Sequence, residues 1–184
     1  MSQTEPTMNQ PINDSYRPIV FRYGLIGGLG LIAIPLIFEL AGLTDPATGE
    51  GNNMVLGLSL LIMVGAMFLA IRQHKEDDLQ GRITFGRALS VAFYTALVMC
   101  LIGAVYFFIY VSFINPELLD IIKANAEAQF EQRGMSDEEI KQGLSMMEMW
   151  VNPTVMTITS FVTNVILSGI AALILAAVLQ NDKK

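Results

Sequence analysis

Residues 88–116 read ALSVAFYTALVMCLIGAVYFFIYVSFINP, 29 consecutive positions without an Asp, Glu, Lys or Arg. An α-helix rises about 1.5 Å per residue, so roughly 20 apolar residues cross the hydrocarbon of a bilayer. This stretch is long enough to cross with residues to spare, the excess being taken up by tilt or by extension into the headgroups. Backbone amides in lipid must be satisfied within the segment, which makes a helix the natural conformation.

Three further blocks share this character. Ile19 to Leu43 lies between Pro18 and the Thr44-Asp45-Pro46 turn, and Met54 to Ile71 falls within an uncharged run of 21 residues from Gly51. Met149 to Asn181 is a third uncharged run, of 33 residues. Over the 184 residues, 53% are hydrophobic and only 15% charged, too little charge to cover a soluble domain of this size. The expected fold is therefore all-α, a four-helix transmembrane bundle with spans near 19–43, 54–71, 88–115 and 152–179. Residues 1–18, polar and carrying Pro6, Pro11 and Pro18, are expected to be a disordered cytoplasmic tail ahead of a single membrane domain, 19–184. A cleavable signal peptide fits poorly, because the first apolar block starts late and runs long.

Basic residues near span ends set the orientation. Arg17, Arg22, Arg72, Lys75, Arg82, Arg87, Lys183 and Lys184 fall on one side, against Lys123, Arg133 and Lys141 on the other, 8 against 3. Both termini and the 72–87 loop are expected in the cytoplasm. The segment 117–149 would then lie outside, as an amphipathic helical hairpin between spans three and four. Glu117 to Glu148 holds eight acidic and three basic residues. Leu119, Ile122, Ala126 and Phe130 share one helical face, Gly134 offers a C-terminal cap, and Ser136 with Glu139 reads as a capping box. Ile140, Leu144, Met147 and Val151 continue the second helix's apolar stripe toward span four.

Polar groups inside the spans are the candidate functional positions. Glu39 stands four residues before the end of span one, where it reads as a carboxylate reaching headgroups or water rather than a coupling or ligand group. Thr157, Ser160, Asn164 and Ser168 share one face of span four, where interhelical hydrogen bonding is favoured over a polar pathway. Gly24 and Gly28 form a GxxxG in span one, and Gly57 and Gly65 share a face of span two; all four are candidate helix-packing positions. His74, the sole histidine, sits among Lys75, Glu76, Asp77 and Asp78 and reads as part of a solvated loop. Cys100 reads as a small packing residue. Met146, Met147, Met149 and Trp150, like Tyr106 and Tyr110, read as interfacial residues without a metal.

No GxSxG, P-loop, HExxH or paired-acid arrangement is present, so no catalytic residue, cofactor or metal is assigned and an enzyme is not expected. The net charge of −6 argues against nucleic-acid binding. A non-enzymatic membrane protein is expected, with the lipid bilayer as its surroundings. Its hairpin would cap the bundle or contact a membrane-protein partner or a second copy through residues 117–149. The alternative is a small transporter, or a transporter subunit, using Glu39 and the span-four stripe.

Several ordered motifs carry a family resemblance. Tyr23-Gly24-Leu25-Ile26-Gly27-Gly28 leads span one, and Ile83-Thr84-Phe85-Gly86-Arg87-Ala88 precedes span three. Phe113-Ile114-Asn115-Pro116-Glu117 closes span three, and Gly134-Met135-Ser136 with Met146-Met147 leads to Asn152-Pro153. Together they resemble the domain-of-unknown-function 4199 family, small four-span proteins of Bacteroidetes-type bacteria. The resemblance implies an inner-membrane location with the acidic hairpin in the periplasm, and supplies neither an activity nor catalytic residues. In the second motif Thr84 is expected to cap span three, Gly86 to allow close approach, and Arg87 to anchor at the headgroups.

Overall fold

The computed structural model describes residues 15–44 and 51–181. Among them there are helices and no strands. The N-terminal tail up to residue 14, Asp45 and Pro46 of the first turn, and Lys183 and Lys184 lie outside the described residues.

Four helices are long and apolar enough to cross a bilayer. Helix α1 is Arg17–Leu40, entered at Pro18, whose missing N–H costs nothing in a first turn. It therefore starts before the expected boundary at residue 19 and takes in Arg17 and Pro18. Helix α2 is Asn52–Gln73 and runs on through one π turn to Asp78, 27 residues in all. Helix α3 is Phe85–Ile109 and likewise ends in a π turn, Tyr110–Ile114, for 30 residues. At about 1.5 Å per residue these exceed the roughly 30 Å apolar thickness. Thr84 caps α3 by accepting from the Arg87 amide at 3.3 Å.

After Asn115 the chain forms the hairpin helices α4, Leu118–Gln132, and α5, Asp137–Glu148. Gly134, at φ 74°, makes the turn between them, and Ser136 and Glu139 form the reciprocal capping box. The hairpin closes on itself. A Cβ at Gly143 would stand 2.9 Å from the Phe130 ring, so glycine admits the ring there, and Ile140 is buried. The α5 stripe does not continue into span four. The chain breaks at 149–152, and helix α6, Pro153–Leu179, begins anew. Its N-cap Asn152 accepts from the Val155 amide at 2.9 Å, and Pro153 occupies the first turn.

Helix α3 is central and packs on α1, α2 and α6. Its Ala88, Ala92 and Ala96, spaced four apart, are buried, as are Ala172 and Ala176 of α6. Small side chains let helix backbones approach closely where lipid offers no hydrophobic drive to associate. The remaining buried core comes from Met67, Ala70 and Ile71 of α2, Val20 of α1 and Met99 of α3. These positions lie in the half of the bundle where α1 begins and α2 ends, the basic end. Large apolar side chains such as Phe21, Leu29, Leu61, Leu101 and Ile166 point outward from all four helices. An outer surface this apolar suits lipid and not water.

The glycines divide into two groups. At Gly24 a Cβ would stand 2.6 Å from Val98 Cγ1, and at Gly28 it would stand 2.8 Å from Ile102 Cδ1. Gly27 meets Met99 and Ala66, so α1 docks on α3 through this glycine face. Gly57 and Gly65 meet nothing within 4 Å, and the close contact expected there is not made among the described residues. The same holds for Gly86, which is exposed and approached by no neighbour.

Candidate functional site

The hairpin-end half of the bundle is not filled. A cavity of about 480 Å³ lies there among α1, α2, α3 and α6. Its walls are mostly apolar, with Leu36, Leu60, Met63, Phe107 and Phe161 prominent. Into it come the polar side chains of Glu39, Ser59, Cys100, Tyr106, Tyr110, Ser160 and Asn164. A volume of this size, apolar with a few convergent polar groups, is the usual form of a small-molecule site.

Each polar group has a structural reason for its place. Glu39 sits one turn after Pro35 in the last turns of α1. Its Oε1 accepts a hydrogen bond from the Tyr110 hydroxyl at 2.7 Å, linking the ends of α1 and α3. Tyr110 is the first residue of the second π turn, and its hydroxyl also accepts from Asn115 Nδ2 at 3.2 Å. The extra residue of a π turn rotates the positions that follow it, a distortion recurrent at functional sites. The Tyr106 and Tyr110 rings lie 5.8 Å apart by centroid at 34°.

On α6, Ser160 and Asn164 line the cavity, whereas Thr157 and Ser168 do not. Thr157 donates to the Pro153 carbonyl one turn back, and buried Ser168 to the Val165 carbonyl, so both hydroxyls are satisfied within their own helix. Ser168 Oγ also stands 3.9 Å from Cys100 Sγ across the α3–α6 interface. The stripe is therefore divided, its middle facing the cavity and its ends serving the helix. Asn164 is exposed and makes no hydrogen bond to a described residue. An amide at that depth without a protein partner is costly unless something else satisfies it.

A second polar cluster closes the basic end, and it overturns the reading of His74. The histidine is fully buried, not part of a solvated loop. The π turn His74–Asp78 swings it inward. Its Nδ1 lies 2.7 Å from Asp78 Oδ2, and Arg87 Nε donates to its Nε2 at 3.0 Å. A guanidinium only donates, so Nε2 carries the lone pair and the ring proton sits on Nδ1, directed at Asp78. Arg87 lies over the Tyr16 ring at 4.7 Å, and Tyr16 meets His74 edge-on and stacks on Tyr94. Arg87 thus points into this cluster and not simply toward headgroups. Lys75 donates to the Leu179 carbonyl at 3.1 Å. Asn181 bonds Gly81 and both backbone groups of Ile83, fastening the end of α6 to the 79–84 loop. This end is closed by polar contacts where the opposite end is open.

The hairpin stands apart from the cavity. Its capping box holds the Glu139 carboxyl below the ordinary glutamate range, because the Ser136 amide donates to it at 2.8 Å and the Ser136 hydroxyl at 2.9 Å. Among the described residues no three His, Cys, Asp or Glu side chains come together as metal ligands.

Tyr110 as the partner of Glu39, Ser59 as a wall residue, and the His74–Asp78–Arg87–Tyr16 cluster escaped the sequence reading. The histidine and aspartate do stand at i and i+4, the spacing of neighbours on a helix, which was the available signal.

A family model described as a protein of unknown function, DUF4199, matches residues 22–181. No curated protein and no solved structure matches the chain.

Proposed function

The chain belongs to the DUF4199 family, whose description names no activity, and we propose that it is a non-enzymatic membrane protein that takes up a small amphiphilic molecule between its helices. One observation carries this reading: Glu39, Ser160 and Asn164, from the two outermost helices in sequence, line the same mostly apolar cavity. That convergence favours the transporter or carrier reading over the hairpin as the working part, since the hairpin packs mainly on itself. The location proposed is the bacterial inner membrane with both termini cytoplasmic, supported by the bias of basic residues toward one end. The cavity then lies in the periplasmic half of the bilayer, below the acidic hairpin. The hairpin remains the surface proposed for a membrane-protein partner or a second copy.

The test fills the cavity without disturbing the fold. Gly103 lines it, and a Cβ there meets nothing within 4 Å. Gly103→Leu therefore places an isobutyl group in the empty space and removes a helix glycine. In lipid nanodiscs, the neutral fluorophore N-phenyl-1-naphthylamine should bind saturably to the native chain and about tenfold more weakly to the variant. Equal binding by both would refute uptake at this cavity.

A further inference from the structure

Resting on the cavity reading, we infer that the ligand is a lipophilic organic cation, held by Glu39 with the rings of Tyr106 and Tyr110 while its apolar body fills the cavity. The charge of the lining points to this class. Among the described residues, Glu39 is its one carboxylate and no Lys, Arg or His lines the cavity. An anion entering it would meet the Glu39 carboxylate with no cationic side chain among the described lining residues to offset the repulsion. A neutral ligand would draw no ionic attraction from this exposed carboxylate.

The carboxylate is also positioned for the task. Tyr110, held in turn by Asn115, occupies Oε1, and Oε2 has no hydrogen-bond partner among the described residues. The Tyr106 and Tyr110 rings line the same cavity, and an aromatic face attracts an organic cation within about 6 Å. An inorganic ion suits the site less well. Hard cations take six or more oxygen ligands, whereas Glu39 is the single carboxylate among the described lining residues and the other side-chain oxygens, of Ser59, Tyr106, Tyr110, Ser160 and Asn164, are neutral and stand on walls that are mostly apolar. Asn164 and Ser160, on the α6 wall, can accept or donate a hydrogen bond to a polar substituent on the ligand body.

The experiment uses three probes on the full chain in nanodiscs of zwitterionic lipid: tetraphenylphosphonium, the isosteric anion tetraphenylborate, and the neutral naphthylamine. The native chain should bind the phosphonium at least about tenfold more tightly than the borate. Glu39→Gln, which keeps an acceptor for Tyr110, should weaken phosphonium binding about tenfold and leave the neutral probe within about twofold. Glu39→Asp should restore part of the loss. Binding of the phosphonium unchanged by Glu39→Gln, or equal binding of phosphonium and borate, would overturn the cation assignment and leave uptake of amphiphiles standing. Loss of both phosphonium and neutral binding in the native chain would overturn both.

Discussion

Gly24→Ala adds one methyl group at the tightest fixed contact between α1 and α3. The new Cβ would lie 2.6 Å from Val98 Cγ1, 2.7 Å from Val98 Cβ and 3.3 Å from the Thr95 carbonyl oxygen. Valine is branched at Cβ and holds one χ1 well in a helix, so it cannot swing aside, and the helices must separate. Overpacking of this kind costs about 1–3 kcal/mol, while replacing a helix glycine by alanine returns about 1 kcal/mol. The expected net is a loss of up to about 2 kcal/mol. Gly57→Ala is the internal control, because its Cβ meets nothing within 4 Å. Only the propensity gain applies there, up to about 1 kcal/mol of stabilisation. Gly27→Ala should fall between the two, since its tightest contact is the sulfur of the flexible Met99 side chain and the fixed one, Ala66 Cβ, stands at 3.0 Å. Sodium dodecyl sulfate titration in mixed micelles, followed by near-ultraviolet circular dichroism, gives all three values. Equal shifts for Gly24→Ala and Gly57→Ala, or stabilisation by the former, would refute the assignment of the α1–α3 seam.

His74→Ala should cost about 3 kcal/mol in the same assay, because it strips charge-assisted hydrogen bonds from Asp78 and Arg87 in a closed site. Arg87→Ala added to it should cost much less than its single effect; strict additivity would mean that the cluster does not act as a unit. In the hairpin, the depressed Glu139 carboxyl contributes stability that is present above the unfolded glutamate value, about 4.3, and lost as pH falls through its lower folded value. A carbon-13 carboxyl titration should accordingly place Glu139 below the ordinary glutamate range, and a midpoint at or above that range would contradict the capping box.

The sequence carried the fold because the bilayer imposes a strong, one-dimensional constraint. A run such as 88–116, without a charge, has few ways to satisfy its backbone. Local motifs were equally readable where a cap was expected: Ser136 with Glu139, and Thr84, cap the helices they precede, whereas the Asn152 cap that starts α6 afresh was not expected. Interhelical facts were harder. The four glycines Gly24, Gly28, Gly57 and Gly65 look alike in the chain, yet only the first two face a neighbour, because a helix period does not say which face meets a partner. His74 misled for a related reason. Four charged residues follow it, but a π turn carries the ring inward together with Asp78, while only Glu76 and Asp77 of the four stay exposed. The cavity is legible only in part. Glu39, Ser160 and Asn164 stand out as polar atoms in apolar helices, but their convergence depends on helix order and rotation. The role of Tyr110 depends on the π turn in which it stands, a distortion that periodicity reading does not register.

The central claim is that the cavity receives a lipophilic cation beside Glu39. Its most direct measurement is an anomalous-scattering map of the full chain crystallised in lipidic phase with tetraphenylarsonium. The arsenic peak should lie next to the Glu39 carboxylate and within about 6 Å of the Tyr106 and Tyr110 ring centroids. An ordered arsenic peak elsewhere, with the cavity between α1, α3 and α6 holding none, would contradict it.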